Sequence, residues 1–156
     1  YIKYYMDKKV WGNSIWYLFH TLAEKINPTK FQEQKNNLFE IVKIICSNLP
    51  CPECSDHASK ELRRVNINNI NDKETFKLFL LEFHNRVNTR LQKPQFTLDE
   101  LNNKYKLAKL NGILHNFNIV YNAPIPNEKM MTHSFHRNSQ NNQLNKHLNE
   151  ILKNCE

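Results

Sequence analysis

Only two glycines, Gly12 and Gly112, occur in 156 residues. No other feature narrows the possible folds as much. Tight hairpin turns rely on glycine for positive backbone φ angles, so a sandwich or barrel with many such turns is a poor candidate. A glycine-rich phosphate loop is excluded on the same ground. Helices joined by Asn, Asp and Pro connections remain. The length suits one ordinary domain. A hydrophobic content of 40% with 11% aromatics is enough to fill an interior, which rules out wholesale disorder. Much of the polarity is uncharged, since 24 residues are Asn, concentrated near positions 66–71 and 138–149.

Lys and Arg total 22 against 15 Asp and Glu, a formal net charge of +7. That balance suits an anionic partner. The cations are scattered, with no basic run longer than Lys8-Lys9 or Arg63-Arg64. Dedicated nucleic-acid binding is therefore not expected, whereas an anionic cofactor would be well served. No stretch approaches the roughly 18 apolar residues of a membrane span, and the first residues lack the apolar core of a signal peptide. A soluble chain with no membrane contact is expected.

Apolar spacing supplies the elements. Trp11, Ile15, Leu18, Phe19, Leu22 and Ile26 recur at three and four residues, predicting a first helix that Asn27-Pro28 ends. Phe31, Leu38, Ile41, Val42, Ile45 and Leu49 predict a second from about Thr29 to Asn48, stopped by Pro50. Pro52 is placed to open a third, reaching about Val65 with Ala58, Leu62 and Val65 inward. Asp72 can cap a fourth, whose apolar set Phe76, Phe79, Leu80, Phe83, Val87 and Leu91 runs to a stop before Pro94. Thr97 and Glu100 form a capping-box pair for a fifth helix, expected to run to Gly112. Residues 113–121 fit helix or a short extended segment equally well. Pro124 and Pro126 mark a linker, and Leu144, Leu148, Ile151 and Leu152 predict one last helix in a polar tail with no catalytic role. The sum is an all-α fold, a helical bundle of four to five members.

Chemistry centres on Cys51-Pro52-Glu53-Cys54. Two cysteines three apart at a helix start can form a disulfide or half a metal site. Unpaired N–H groups and the macrodipole favour a thiolate there, so a redox pair is physically sensible. Structural zinc needs two more ligands, and His57 adds one with no second C-x-x-C in the chain. No metal is therefore expected. Haem attachment needs His directly after the second Cys, where Ser55 stands, and a thioredoxin fold would need a strand ahead of Cys51.

A second constellation follows from helical spacing. Gly12, Trp16 and His20 are in line at four-residue intervals on a face turned from the main apolar stripe, and His84 and Asn88 are likewise four apart, with Lys93 just beyond. A lone helical Trp or His is most often a packing residue. Together, beside a C-x-x-C, these residues suit a large planar cofactor carrying phosphates, such as a flavin dinucleotide. The competing reading is a small helical binding module whose C-x-x-C is structural or zinc-binding.

Three motifs, Trp11-Gly12-x-x-x-Trp16-x-x-x-His20, Cys51-x-x-Cys54 and His84-Asn85-x-Val87-Asn88-x-x-Leu91-x-Lys93-Pro94, stand in the order and spacing of a known family. Over residues 10–110 the chain resembles the Erv/ALR FAD-linked sulfhydryl oxidases. The segment 48–58 looks most like the versions encoded by large cytoplasmic DNA viruses. The resemblance implies a four-helix bundle with a short fifth helix holding FAD, in residues 1–122, followed by a polar linker and helical tail in 123–156. It implies oxidation of protein dithiols by dioxygen with hydrogen peroxide as product, with Cys54 next to the flavin and Cys51 facing incoming thiols. Gly12, Trp16, His20, His84, Val87, Asn88 and Lys93 match the family's cofactor contacts, and Tyr105 falls where cellular members place a Trp on the adenine. A homodimer paired through the first two helices is implied, with Trp11, Ile15 and Phe39 expected to lack cover in one chain. The host cytoplasm, at the viral factory, is the implied location, with the virion as a second one.

Two departures from the family pattern stand out. The positions of a further structural disulfide in cellular members are near Leu98 and His115, neither of which is Cys, so the fifth helix must be held by packing. No second closely spaced Cys pair exists to feed electrons from an arm. Cys155 is a lone tail thiol, and Cys46 is expected to be a buried packing thiol.

Overall fold

The first apolar stripe forms α1 (Lys8–Lys25), and its six residues Trp11, Ile15, Leu18, Phe19, Leu22 and Ile26 are all buried in the computed structural model, which describes residues 8–123 and 131–156. Asn27 ends α1 by turning its side chain to the next backbone, Oδ1 accepting from Thr29 N at 3.0 Å. Pro28–Lys30 then makes one tight 3-10 turn, so α2 (Phe31–Ser47) begins two residues later than its apolar spacing predicts. Leu38, Ile41, Val42 and Ile45 face the core, with Phe31 at the start of the same face. Pro52 is the first residue of α3 (Pro52–Arg63), as a missing N–H and fixed φ favour.

Two predicted caps are present. Asp72 Oδ1 accepts from Thr75 N at 2.8 Å at the start of α4 (Lys73–Arg90), and Thr75 Oγ1 accepts in return from Asp72 N at 3.2 Å. Thr97 Oγ1 accepts from Glu100 N at 3.2 Å at the start of α5 (Leu98–Tyr105), with Glu100 Oε2 accepting from Thr97 N at 3.0 Å. Each such cap contributes about 1 kcal/mol. Phe39 meets Phe76 and Phe79 with ring centroids 5.4 Å apart, which ties α2 to α4 through aromatic contact. Lys77 and Glu24, mostly buried, pair at 2.8 Å between α4 and α1.

Three expectations are corrected. The fifth helix stops at Tyr105 instead of reaching Gly112, because the chain turns through Lys106–Lys109 and starts afresh as α6 (Leu110–Tyr121). Gly112 is thus inside a helix, and residues 113–121 are helical. Leu91 does not extend the apolar stripe of α4, since it is exposed beyond the helix end. Trp11, Ile15 and Phe39 are buried within one chain.

The tail is also more than a polar appendage. α7 (Met131–Leu152) lies along α2, and Leu144, Leu148 and Ile151 belong to the main core. Asn48 Nδ2 donates to Gln140 Oε1 at 3.0 Å, while His147 Nδ1 and Asn37 Oδ1 are 2.8 Å apart. Buried Arg137 donates to the Ala123 carbonyl at 3.2 Å, just past the end of α6, and its guanidinium lies over the Tyr121 ring. Past α7 the backbone pairs antiparallel with the end of α1. Asn27 N donates to Asn154 O and Glu156 N to Lys25 O, both at 2.8 Å, around an Ile26–Cys155 bridge. Apart from that bridge, every regular element among the described residues is helical. Pro124 and Pro126, read as linker, lie outside the described residues.

Candidate functional site

Helices α1, α3 and α4, with the loop after α4 and the end of α5, surround a cavity of about 720 Å³, within the size range of small-molecule sites. Four-residue spacing on α1 places Gly12, Trp16 and His20 in line. Gly12 and Trp16 line the cavity, and a methyl group added at Gly12 would meet nothing within 4 Å. The first helix thus offers an open step beside its indole.

From α4, His84 stacks on Trp16 at 4.0 Å with an interplanar angle of 6°. His20 is behind them, its Nε2 2.9 Å from His84 Nδ1 and its ring 5.1 Å from that of Tyr105. Burial first, then the charges of His84 and Lys104, lowers the His20 pKa to about 3. Burial, followed by Lys104 and Lys93, lowers that of His84 to about 4. Both rings are therefore neutral at neutral pH, so one N–H donates to the other ring's lone pair. Phe83 meets the Trp16 ring edge-on at 5.2 Å.

The loop after α4 is held by two asparagines of the third motif. Asn85 bonds both backbone groups of Phe96, donating to O at 2.9 Å and accepting from N at 2.8 Å. Asn88, buried, donates to the Pro94 carbonyl at 3.1 Å while also lining the cavity. The helix end itself is a Schellman turn, with Lys93 N donating to Asn88 O at 2.7 Å and Gln92 N to Thr89 O at 3.1 Å. Gln92 takes the left-handed position at φ 57°. This folding-back brings Lys93 and Phe96 to the cavity, with Phe96 5.0 Å from the His84 ring.

The cysteine pair occupies the start of α3. Cys51 is the N-cap, its sulfur accepting from Cys54 N at 3.3 Å, and Cys54 stands within the first turn. Both are half-buried and unbridged. Of the pair it is Cys54 that lines the cavity. The expectation of an acidic thiol does not hold at Cys54, which burial and then Cys51 push up to about 11. The N–H at the start of the helix thus points to the sulfur of Cys51, whereas Cys54 is raised chiefly by its partial burial. Cys46, also on the cavity wall, is buried and pushed up to about 12 by that burial.

All eight residues expected to contact a cofactor, Gly12, Trp16, His20, His84, Val87, Asn88, Lys93 and Tyr105, are thus assembled at this place, with His20 in the layer behind. Sequence reasoning missed three more. Lys104 is 4.7 Å from the Tyr17 ring centroid and 5.5 Å from that of Tyr105, and Tyr17, Phe96 and Lys104 all line the cavity. Lys104 stands in the last helical turn, where a cation ordinarily serves the helix dipole, so nothing in its position marked it. Among the described residues, Lys8, Lys9, Arg90, Lys93 and Lys104 face the cavity against the single acid Glu53. Flat rings, an open glycine and an excess of cations fit a planar group bearing phosphates. No group of three or more His, Cys, Asp or Glu placed to hold a metal ion is found among the described residues.

Known proteins place this arrangement. A protein of Invertebrate iridescent virus 3 is 31% identical over 103 residues, covering 65% of this chain and 70% of its own length. The FAD-linked sulfhydryl oxidase of African swine fever virus, isolate Tick/Malawi/Lil 20-1/1983, is 31% identical over 103 residues, 66% of this chain and 86% of its own. The FAD-linked sulfhydryl oxidase ERV1 of Arabidopsis thaliana is 32% identical over 100 residues, 64% of this chain, which spans about half of the plant protein (52%). No solved structure matches. The description of the Erv1 / Alr family matches residues 13–106, which carry Trp16 and His20, the cysteine pair, the looped-back third motif and Tyr105, and the chain belongs to that family.

Proposed function

We propose that this chain is a FAD-dependent thiol oxidase that forms disulfides in protein substrates, with Cys51 and Cys54 as its redox pair. The observation that carries the reading is the position of Cys54 on the wall of the cationic, aromatic cavity, in a chain whose relatives from African swine fever virus and Arabidopsis are named FAD-linked sulfhydryl oxidases. Gly12, Trp16, His84, Val87 and Tyr105 would hold the flat part of the cofactor. Lys93 and Lys104 would meet its phosphates, with His20 fixing the His84 ring. Bound FAD supplies the two-electron acceptor and the route to dioxygen, with hydrogen peroxide as product.

The protein's own chemistry is thiol–disulfide exchange. A substrate thiolate attacks Cys51 Sγ, the Cys51–Cys54 bond breaks, and Cys54 leaves with the electron pair as a thiolate. A second substrate thiolate then attacks the substrate sulfur of the mixed disulfide, releasing Cys51 and leaving the substrate oxidised. The cofactor unit is assigned to residues 1–122, with 123–156 as linker and buttressing helix. The site of action is assigned to the cytoplasm of a virus-infected cell, which the iridovirus, swine fever virus and fowlpox matches favour. No helix among the described residues is long and apolar enough to cross a membrane. Homodimer formation rests on the resemblance alone, because the side chains expected to be bare are covered and α7 occupies a face of α2. A mass near 19 kDa across a dilution series would remove it.

The deciding experiment is an absorbance spectrum of the purified protein followed by a dithiol oxidation assay. A yellow protein with a flavin band and oxygen-dependent turnover is expected. Cys54→Ser should keep the flavin and lower turnover by at least about a hundredfold, since the other thiol on the cavity wall, Cys46, is buried and pushed up to about 12. A colourless protein, or one carrying zinc, would favour the binding module instead.

A further inference from the structure

Ser55 follows Cys54 directly, on the buried side of α3, and its hydroxyl reaches back across the cysteine pair, Oγ accepting from Leu49 N at 2.8 Å. A serine inside a helix commonly bonds a carbonyl of its own preceding turn; here the oxygen serves a backbone N–H outside the helix. That bond closes residues 49–55 into a loop containing both cysteines. Ser55 N completes the first turn by donating to Cys51 O at 3.0 Å. The residue before the loop is fixed as well, because Asn48 Nδ2 donates to Ile44 O of α2 at 2.7 Å and to Gln140 Oε1 of α7 at 3.0 Å. Within the loop Pro50 and Pro52 set their own φ angles, while Leu49 and Cys51 have no such restraint. The Ser55 bond ties the first of these two to the helix that carries Cys54. With the pair unbridged, Cys51 Sγ still accepts from Cys54 N at 3.3 Å.

We propose that Ser55 is a positioning residue for the redox pair, keeping Cys51 beside Cys54 while both are thiols and so favouring closure of the disulfide. This rests on the oxidase reading above, in which the two cysteines cycle between dithiol and disulfide. Closure joins Cys51 Sγ to Cys54 Sγ, breaks both S–H bonds and releases two electrons and two protons to the acceptor, which is glutathione disulfide in the test below. A disulfide restrains Cys51 by itself, whereas an open pair relies on the surrounding chain. Loss of the Ser55 bond therefore gives the dithiol a freedom that the disulfide does not share, and the balance moves toward the dithiol. A pair that closes more readily is the stronger electron donor, so the hydroxyl inclines the cysteines to pass electrons onward.

The test reads an equilibrium and needs no turnover. Full-length protein is equilibrated without oxygen in glutathione buffers of graded ratio, quenched with acid and alkylated, and the mass of the peptide carrying Cys51 and Cys54 gives the disulfide fraction. Ser55→Ala should shift the equilibrium constant about fivefold toward the dithiol, a rise of roughly 20 mV in potential. Ser55→Thr keeps the hydroxyl and should restore the native value. Ile151→Val, further along α7 than Gln140 and outside the loop, trims the core and should lower the melting temperature without moving the equilibrium. An unmoved equilibrium in Ser55→Ala, a shift of similar size in Ile151→Val, or a Ser55→Thr value matching that of Ser55→Ala would overturn the proposal. The oxidase reading fails by a different result, namely dithiol oxidation that survives Cys54→Ser in the otherwise native chain.

Discussion

His20 and His84 share one hydrogen bond among aromatic rings, and that pairing sets an acid limit on the folded chain. Their folded pKa values, about 3 and about 4, are below the ordinary 6.5, so between those values and 6.5 the unfolded chain binds protons that the native one does not. Their contribution to stability is complete above about 6.5 and is lost as pH falls toward 4 and below. The melting temperature of flavin-free protein should fall over that interval. His84→Phe should make the fall shallower, since it removes one titrating ring and keeps a partner for Trp16; superimposable pH profiles would show that the acid limit lies elsewhere. Trp16, His20 and His84 were legible in the sequence because each is separated by whole helical turns from another polar or aromatic residue in a motif. Tyr17, Phe96 and Lys104 were not. Tyr17 follows Trp16 directly and is out of line with its motif, while a loop and a separate helix bring in the other two.

Individual elements carry their own signals, and their failures have local causes. The caps of α4 and α5 were readable since a side chain three residues from its partner acts alone. The break between α5 and α6 was not, because the apolar set around it fits one long helix or two short ones. α5, without a disulfide at Leu98, is held by burial of Leu101 and Tyr105. Gln92 occupies the left-handed position that closes α4, which costs a side chain about 1–2 kcal/mol relative to glycine. Gln92→Gly also makes the unfolded chain more flexible, by about 0.4–1 kcal/mol, so a net gain of roughly 0.5 kcal/mol is expected in a denaturant titration. Gly112→Ala should gain about 1 kcal/mol, because the position is inside a helix and the added methyl meets no neighbour within 4 Å. A loss at Gly112 would mean that this face of α6 is covered in solution.

For the whole molecule, α7 changes what counts as the folding unit. The sequence placed residues 123–156 outside the part that resembles the family and read them as a polar tail, because Leu144, Leu148 and Ile151 are sparse among Asn and Gln. Burying one such side chain contributes about 1.5–3 kcal/mol, so three together are comparable with the roughly 5–15 kcal/mol that stabilises an ordinary domain. Removal of residues 127–156 is therefore expected to abolish the cooperative thermal transition or lower its midpoint by more than about 10 °C, at roughly 2–4 °C per kcal/mol. An unchanged melt would return the helix to the status of an appendage. The pairing of α7 with α2 also has a meaning during translation. Its side-chain bonds join residues 92 and 110 positions apart, Asn48 with Gln140 and Asn37 with His147. At roughly 5–20 residues per second, the matching face of α2 waits on the order of 5–20 s for its cover to leave the ribosome. During that wait a nascent chain presents an apolar helix face to the cytosol, and stalled chains ending before α7 should recruit holding chaperones that full-length chains release.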